Sequence, residues 1–100
     1  MLLYNITFGV DRDVEQEWLK YMREQQIPAV LKTGMFTGYK FFKVLHDQEE
    51  ESISYSVQYF ADTITHVNQY LEFFAPSVME HHRQRFHNKH VAFQTLLEEV

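Results

Sequence analysis

Four of the six histidines crowd into the stretch Glu80–His90 (EHHRQRFHNKH), beside two arginines and a lysine. Histidine is the commonest metal ligand and the side chain that titrates near neutrality. A helical two-histidine metal site needs its ligands four residues apart on one face. Here that spacing pairs Glu80 with Gln84, His81 with Arg85 and Arg83 with His87. Only His87 and His90 lie three apart, and the neighbouring cations repel a metal, so no metal site is assigned. Two readings of the stretch remain. One is a solvated basic helix end, favoured at the negative pole of the helix dipole. The other is an anion site in which His82, Arg83, Arg85, His87, Lys89 and His90 receive a carboxylate, a phosphate or the acidic turn Glu49–Glu51 of a second copy.

The remaining candidates for chemistry are isolated. His46, at the end of a strand, is the better placed of the lone histidines to act as a general base, and His66 reads as a polar boundary residue. Tyr55, Tyr59 and Trp18 line either a ligand site or the core. No glycine-rich phosphate loop, nucleophile elbow or paired-carboxylate pattern is present, so catalytic residues stay unassigned and no cofactor is expected. The absence of cysteine removes thiolate metal sites, disulfides and cysteine nucleophiles. A net charge of −5 argues against nucleic acid as a partner, because phosphate binding needs a basic footprint.

These residues must be positioned by a small α+β fold. Ser52–Phe60 (SISYSVQYF) alternates Ile53, Tyr55, Val57 and Tyr59 with Ser54, Ser56 and Gln58, the period of a half-buried strand. Leu2–Val10 repeats the pattern through Tyr4, Ile6, Phe8 and Val10. Asp11 or Asp13 then offers a cap to a helix carrying Val14, Trp18, Tyr21 and Met22, which should end before Pro28. Pro28 opens a second short helix and Gly34 closes it in a left-handed conformation. Phe36–Leu45 reads as the second strand. The run Asp47–Glu51, with four carboxylates, reads as a solvated hairpin turn. Asp62 would cap a helix with the face Ile64, Val67, Leu71 and Phe74. Pro76 interrupts that helix before a further helical piece, Ser77–Phe86, and His90–Leu97 is the last strand.

The order β-α-β-β-α-β is that of a ferredoxin-like sandwich, expected as one domain over residues 1–100. Strands two and four take the edges, and strands one and three are expected as parallel neighbours in the middle. Helices cover one face, assigned Ile6, Phe8, Ile53, Tyr55, Val57, Val91 and Phe93. The second face then carries Asn5, Thr7, Ser54, Ser56, Gln58, Ala92 and Gln94, rimmed by Phe42, Val44, Phe60 and Leu96. A polar centre inside an apolar rim suits two sheets meeting face to face around a cavity. Asn5, Thr7, Phe42, Val44, Ser54, Ser56, Gln58 and Gln94 are its candidate residues.

In element order, length and the hairpin GYKFFKVL–acidic turn–SISYSVQYF, the chain resembles small bacterial ferredoxin-like proteins of the dimeric α/β-barrel type. It is similar in particular to a family of roughly hundred-residue bacterial proteins of unknown function. Pro28–Phe41 (PAVLKTGMFTGYKF), the neighbourhood of Arg85–His87 and the tail Val91–Val100 carry the likeness. The resemblance implies the fold and a dimer, and carries over no catalytic residue. Larger relatives of that architecture include cofactor-free monooxygenases, haem-dependent enzymes, isomerases and amino-acid-sensing regulatory domains, and fold does not choose among them.

The leading expectation is therefore a homodimeric binding or interaction protein without catalysis, with itself as partner and room for a small-molecule ligand. The alternative is a small cofactor-free or haem-dependent monooxygenase or isomerase acting on an apolar molecule. A metabolite-sensing regulatory domain is a third. No stretch approaches the roughly 20 apolar residues of a membrane span and the N-terminus lacks a basic leader, so no membrane partner and a cytoplasmic location are expected.

Overall fold

The computed structural model describes residues 1–46 and 51–100, which leaves most of the acidic turn, Asp47–Glu50, outside the described residues. The elements run β1 (Leu2–Asp11), a 3-10 turn (Arg12–Val14), α1 (Glu15–Tyr21), a π turn (Met22–Gln26), α2 (Ile27–Lys32), β2 (Gly38–Lys43), β3 (Ser52–Ala61), α3 (Ile64–Phe73), α4 (Ala75–Arg85) and β4 (His90–Glu98). The four strands form one sheet in the order β2-β3-β1-β4 with every pairing antiparallel. This is the ferredoxin-like sandwich, with β2 and β4 at the edges.

The central pair corrects one expectation: β1 and β3 are antiparallel, with Ile6 opposite Val57 and Tyr4 opposite Tyr59. The helical crossover returns β2 parallel to β1 but one strand away. The reversal from β2 to β3 then runs β3 against both of them.

Strict alternation in β1 and β3 sends Tyr4, Ile6, Phe8, Val10, Ile53, Tyr55, Val57 and Tyr59 under the helices, where all are buried. They meet Trp18, Tyr21, Met22, Ile27 and Val30 from the first helical run, Val67 and Tyr70 from α3, and Phe86 after α4. In α3 the buried face is Val67 and Tyr70, while Ile64 and Leu71 are exposed.

The first helical run does not stop before Pro28. Ile27 donates its N–H to the carbonyl of Met22, five residues back. This π turn widens the helix just before the proline, which has no N–H to give and would crowd the carbonyl four residues earlier. Gly34 closes α2 at φ 77°, with its N–H on the Leu31 carbonyl at 3.2 Å, the left-handed exit expected of it.

Caps differ from the sequence reading in two places. Neither Asp11 nor Asp13 caps α1, and Asp13 instead receives Lys89 Nζ at 3.0 Å. Thr63, not Asp62, caps α3, its hydroxyl accepting from the His66 N–H at 3.3 Å. Pro76 sits in the first turn of α4, where its missing N–H costs nothing. Strand two is shorter than expected, because Phe36 leaves the sheet for the core and stacks on Tyr4.

Candidate functional site

The face of the sheet away from the helices holds the residues that β1 and β3 alternate outward. Ser56 Oγ donates to Asn5 Oδ1 at 2.5 Å, and Asn5 Nδ2 donates to Thr7 Oγ1 at 3.2 Å. Gln58 lies beside Asn5 and Ser54 beside Gly9. On the β2 side Phe42 pairs with Ser56, and the Val44 N–H bonds the Ser54 carbonyl at 2.9 Å. The structure thus brings together seven of the eight candidate residues of this face.

The eighth, Gln94, is a correction, and so are its neighbours on β4. Gln94 pairs with Ile6, Ala92 with Phe8 and Leu96 with Tyr4, and directly opposed residues share a face, so all three lie on the helix side. Val91 and Phe93 pair with Gly9 and Thr7 and belong to the uncovered face, not to the helix side. The alternation of β4 misleads because both of its faces carry apolar residues. The helices do not reach over this edge strand, and Ala92, Gln94 and Leu96 are exposed even on the helix side.

Row by row, the uncovered face therefore reads Leu97–Leu3–Phe60, then Thr95–Asn5–Gln58–Lys40, then Phe93–Thr7–Ser56–Phe42, then Val91–Gly9–Ser54. Phe93 is 61% exposed, Val91 66% and Phe42 47%. Aromatic and aliphatic groups at both edges flank a hydrogen-bonded polar centre. Gly9 keeps that face low: a Cβ there would lie 3.0 Å from Val91 Cγ2.

The basic stretch divides differently from either sequence reading. His82 is wholly buried between α4 and the sheet. Its Nε2 accepts the Trp18 indole N–H at 2.9 Å, which places the ring proton on Nδ1, and that atom is buried without a hydrogen-bond partner. Phe8, Tyr21, Phe86 and His90 surround the ring, His90 perpendicular to it at 4.4 Å between centroids. Burial, reinforced by the neighbouring His90 and His81, holds the His82 pKa down to about 3. The signal for this core position was present in the sequence: Val78, His82 and Phe86 recur every four residues on one helix face.

The cations of the stretch are spoken for within the chain. Arg83 pairs with Glu80, Arg85 with Glu17 at 2.9 Å, and Lys89 with Asp13 at 3.0 Å and Asp11 at 3.9 Å. His90 Nδ1 meets the Phe86 carbonyl at 3.0 Å, and His87 is exposed. His82, Arg83, Arg85, His87, Lys89 and His90 accordingly do not converge on one anion. Among the described residues no three of His, Cys, Asp and Glu gather closely enough to hold a metal ion.

A polar relay that the sequence did not reveal runs along the helix layer. Tyr21 Oη donates to Gln26 Oε1 at 3.1 Å and lies 2.8 Å from His81 Nδ1. Burial raises the Tyr21 pKa, opposed by the nearby Arg85. A second tyrosine, Tyr55, donates to Glu15 Oε2 at 2.5 Å, and burial together with that carboxylate lifts its pKa to about 12.

The family model of a domain of unknown function, DUF4286, matches residues 1–100. The chain belongs to the DUF4286 family. No curated protein sequence matches it. Solved structures share its fold at low identity. The chain is similar to an ethyl tert-butyl ether d (ethd) family protein from Bacillus halodurans, at 14% identity and TM-score 0.69, with all of each chain covered. It is similar to a mutant of MhuD carrying two manganese protoporphyrin IX per active site, at 16% identity and TM-score 0.72, covering 100% of this chain and 95% of that one. It is also similar to a dimeric ferredoxin-like protein from an uncultured marine organism, at 11% identity and TM-score 0.71, with the same coverage.

The residues of this DUF4286 chain do not fit a porphyrin between helices and sheet. That space is filled by Trp18, Phe8, Tyr4, Tyr59 and Tyr70. The fully buried histidine there, His82, has Nε2 committed to Trp18 and no open side from which to reach a metal. A surface groove of about 630 Å³ lies among Met1, Leu2, Asp62, Thr63, Ile64 and Leu96, and no histidine lines it. Among the described residues no helix is long and apolar enough to cross a membrane.

Proposed function

We propose that this DUF4286 chain acts as a homodimeric binding protein, two copies meeting through the uncovered faces of their sheets. One observation carries the reading: Phe42 on one edge and Val91 and Phe93 on the other are exposed beside a polar centre in which Asn5, Thr7 and Ser56 already bond one another. An apolar rim of this kind favours association when covered. Within that centre Asn5, Thr7 and Ser56 lose little on being enclosed, because they bond one another.

A second copy suits the face better than an unrelated partner. Apolar groups stand at both edges, so a two-fold axis through the centre brings the β2 edge of each copy against apolar surface of the other. Strand spacing and rise give the four-stranded face a footprint of roughly 20 by 30 Å. That is the scale of the ~800 Å² per partner that stable interfaces bury. Similarity to a dimeric ferredoxin-like protein points the same way. The net charge of −5 disfavours a nucleic-acid partner.

The catalytic alternative, a cofactor-free or haem-dependent enzyme with an apolar substrate between helices and sheet, draws less support, since aromatic side chains occupy that layer. Native mass spectrometry at low micromolar concentration tests the reading. The wild-type chain should register as a dimer and Phe93→Asp as a folded monomer. A dimer that tolerates Phe93→Asp would place the interface elsewhere.

A further inference from the structure

On the opposite side of the molecule from the uncovered sheet, the π turn and α4 enclose a cleft of about 320 Å³. Tyr21, Gln26 and Ala29 line it from the first helical run, and Ser77, Val78 and His81 from α4. This volume is at the lower end of small-molecule sites, and its mixture of aliphatic wall and few convergent polar groups is the composition such sites show. Unlike the larger groove at the end of the sheet, it has a buried polar side chain in its wall: Gln26, 2% exposed.

The hydrogen bonds fix the state of that wall. Gln26 Nε2 lies 3.9 Å from the Met79 thioether, so the amide nitrogen faces the sulfur and Oε1 faces Tyr21. An amide oxygen only accepts, so the single Tyr21 hydroxyl proton goes to Gln26. The 2.8 Å contact between Tyr21 Oη and His81 Nδ1 must then be carried by a proton on Nδ1. In the neutral ring this leaves Nε2 of His81 as a free acceptor on an exposed side chain. The Tyr21 ring, stacked on His81 at 5.8 Å and 29°, holds the imidazole in that orientation. The π turn has a local cause in Pro28, and it also sets Tyr21 and Gln26 toward one side of the run. Such turns recur at functional sites.

We propose that this cleft binds a small, uncharged, largely apolar molecule bearing one hydroxyl, which donates its hydrogen bond to His81 Nε2. Ala29 and Val78 receive the apolar body. The Gln26–Tyr21–His81 relay sets the tautomer that makes the site an acceptor, so Tyr21 and Gln26 are positioning residues. The site does not depend on the sheet-face dimer.

The test uses the full-length protein and two probes, 2-naphthol and its methyl ether, 2-methoxynaphthalene, which keeps the rings and lacks the donor. Binding is followed by NMR on the His81 imidazole and Tyr21 ring resonances. The wild type should bind 2-naphthol about tenfold more tightly than the ether, the worth of one net hydrogen bond. His81→Phe, which keeps a ring against Tyr21 at an exposed position, should bind both probes within about twofold of each other. Equal affinity of the wild type for the two probes would overturn the proposal. So would His81 and Tyr21 resonances that 2-naphthol leaves unmoved, or a naphthol preference that survives His81→Phe.

Discussion

Lowering the pH should weaken the fold through His82, and the amount can be worked from its surroundings. Burial holds the folded-state pKa near 3, against 6.5 for the free side chain. The unfolded chain therefore takes up the proton first. The stability His82 contributes as a neutral ring is complete above pH 6.5 and is lost as pH falls from there toward 3. Each pH unit in that window is worth about 1.4 kcal/mol, so by pH 5 about 2 kcal/mol is gone. His82→Gln removes the titration while keeping an oxygen that can accept from Trp18. It should cost about 1–3 kcal/mol at pH 7, as an altered buried hydrogen bond does. The gap between wild type and variant should then close by about 2 kcal/mol between pH 6.5 and pH 5. Urea unfolding at pH 7.5, 6.5, 5.5 and 5.0 measures this directly. Protein concentration is held constant, because self-association adds to apparent stability. Parallel pH profiles for the two proteins would refute the assignment of His82 as a buried neutral ring.

Three further outcomes follow from the local structure. Thr63→Ala should lower stability by about 1 kcal/mol through loss of the α3 cap, whereas Asp62→Ala should stay within about 0.5 kcal/mol, both read from urea midpoints. Gly34→Ala should cost about 1 kcal/mol, since the φ of 77° strains any residue with a Cβ, and a neutral result in thermal unfolding would contradict the left-handed exit of α2. Phe42→Asp should weaken self-association at least tenfold by placing a charge in the apolar rim, measured by sedimentation equilibrium with the monomer's helix content unchanged by circular dichroism.

The two central strands were legible from the sequence because each buries one face and leaves the other polar, so Tyr4–Val10 and Ile53–Tyr59 alternate without conflict. The edge strand β4 was not. Phe93 and Leu96 are both exposed and point to opposite faces, and no local pattern tells which of them lies over the core. Only pairing with Thr7 and Tyr4 decides it. A regular α-helix cannot accommodate Pro28, so the sequence alone places a stop before it. The π turn that carries the helix past it is a backbone solution without a residue signature of its own. His82 was hidden among charged neighbours, although its four-residue spacing from Val78 and Phe86 marks the buried face of α4. The relay from His81 through Tyr21 to Gln26 spans elements 60 residues apart and is visible only once the helices are packed. The acidic turn, expected to be solvated or to meet a second copy, lies mostly outside the described residues.

The most direct test of the face-to-face dimer is an isotope-filtered NOE spectrum on a mixture of labelled and unlabelled chains. The account predicts intermolecular cross-peaks from the Phe42 and Phe93 rings to methyl groups of Val91, Leu3 or Leu97 in the other copy. Intermolecular cross-peaks confined to the helix layer, at Leu71 or Ile64, or none at all from a chain that sediments as a monomer, would contradict it.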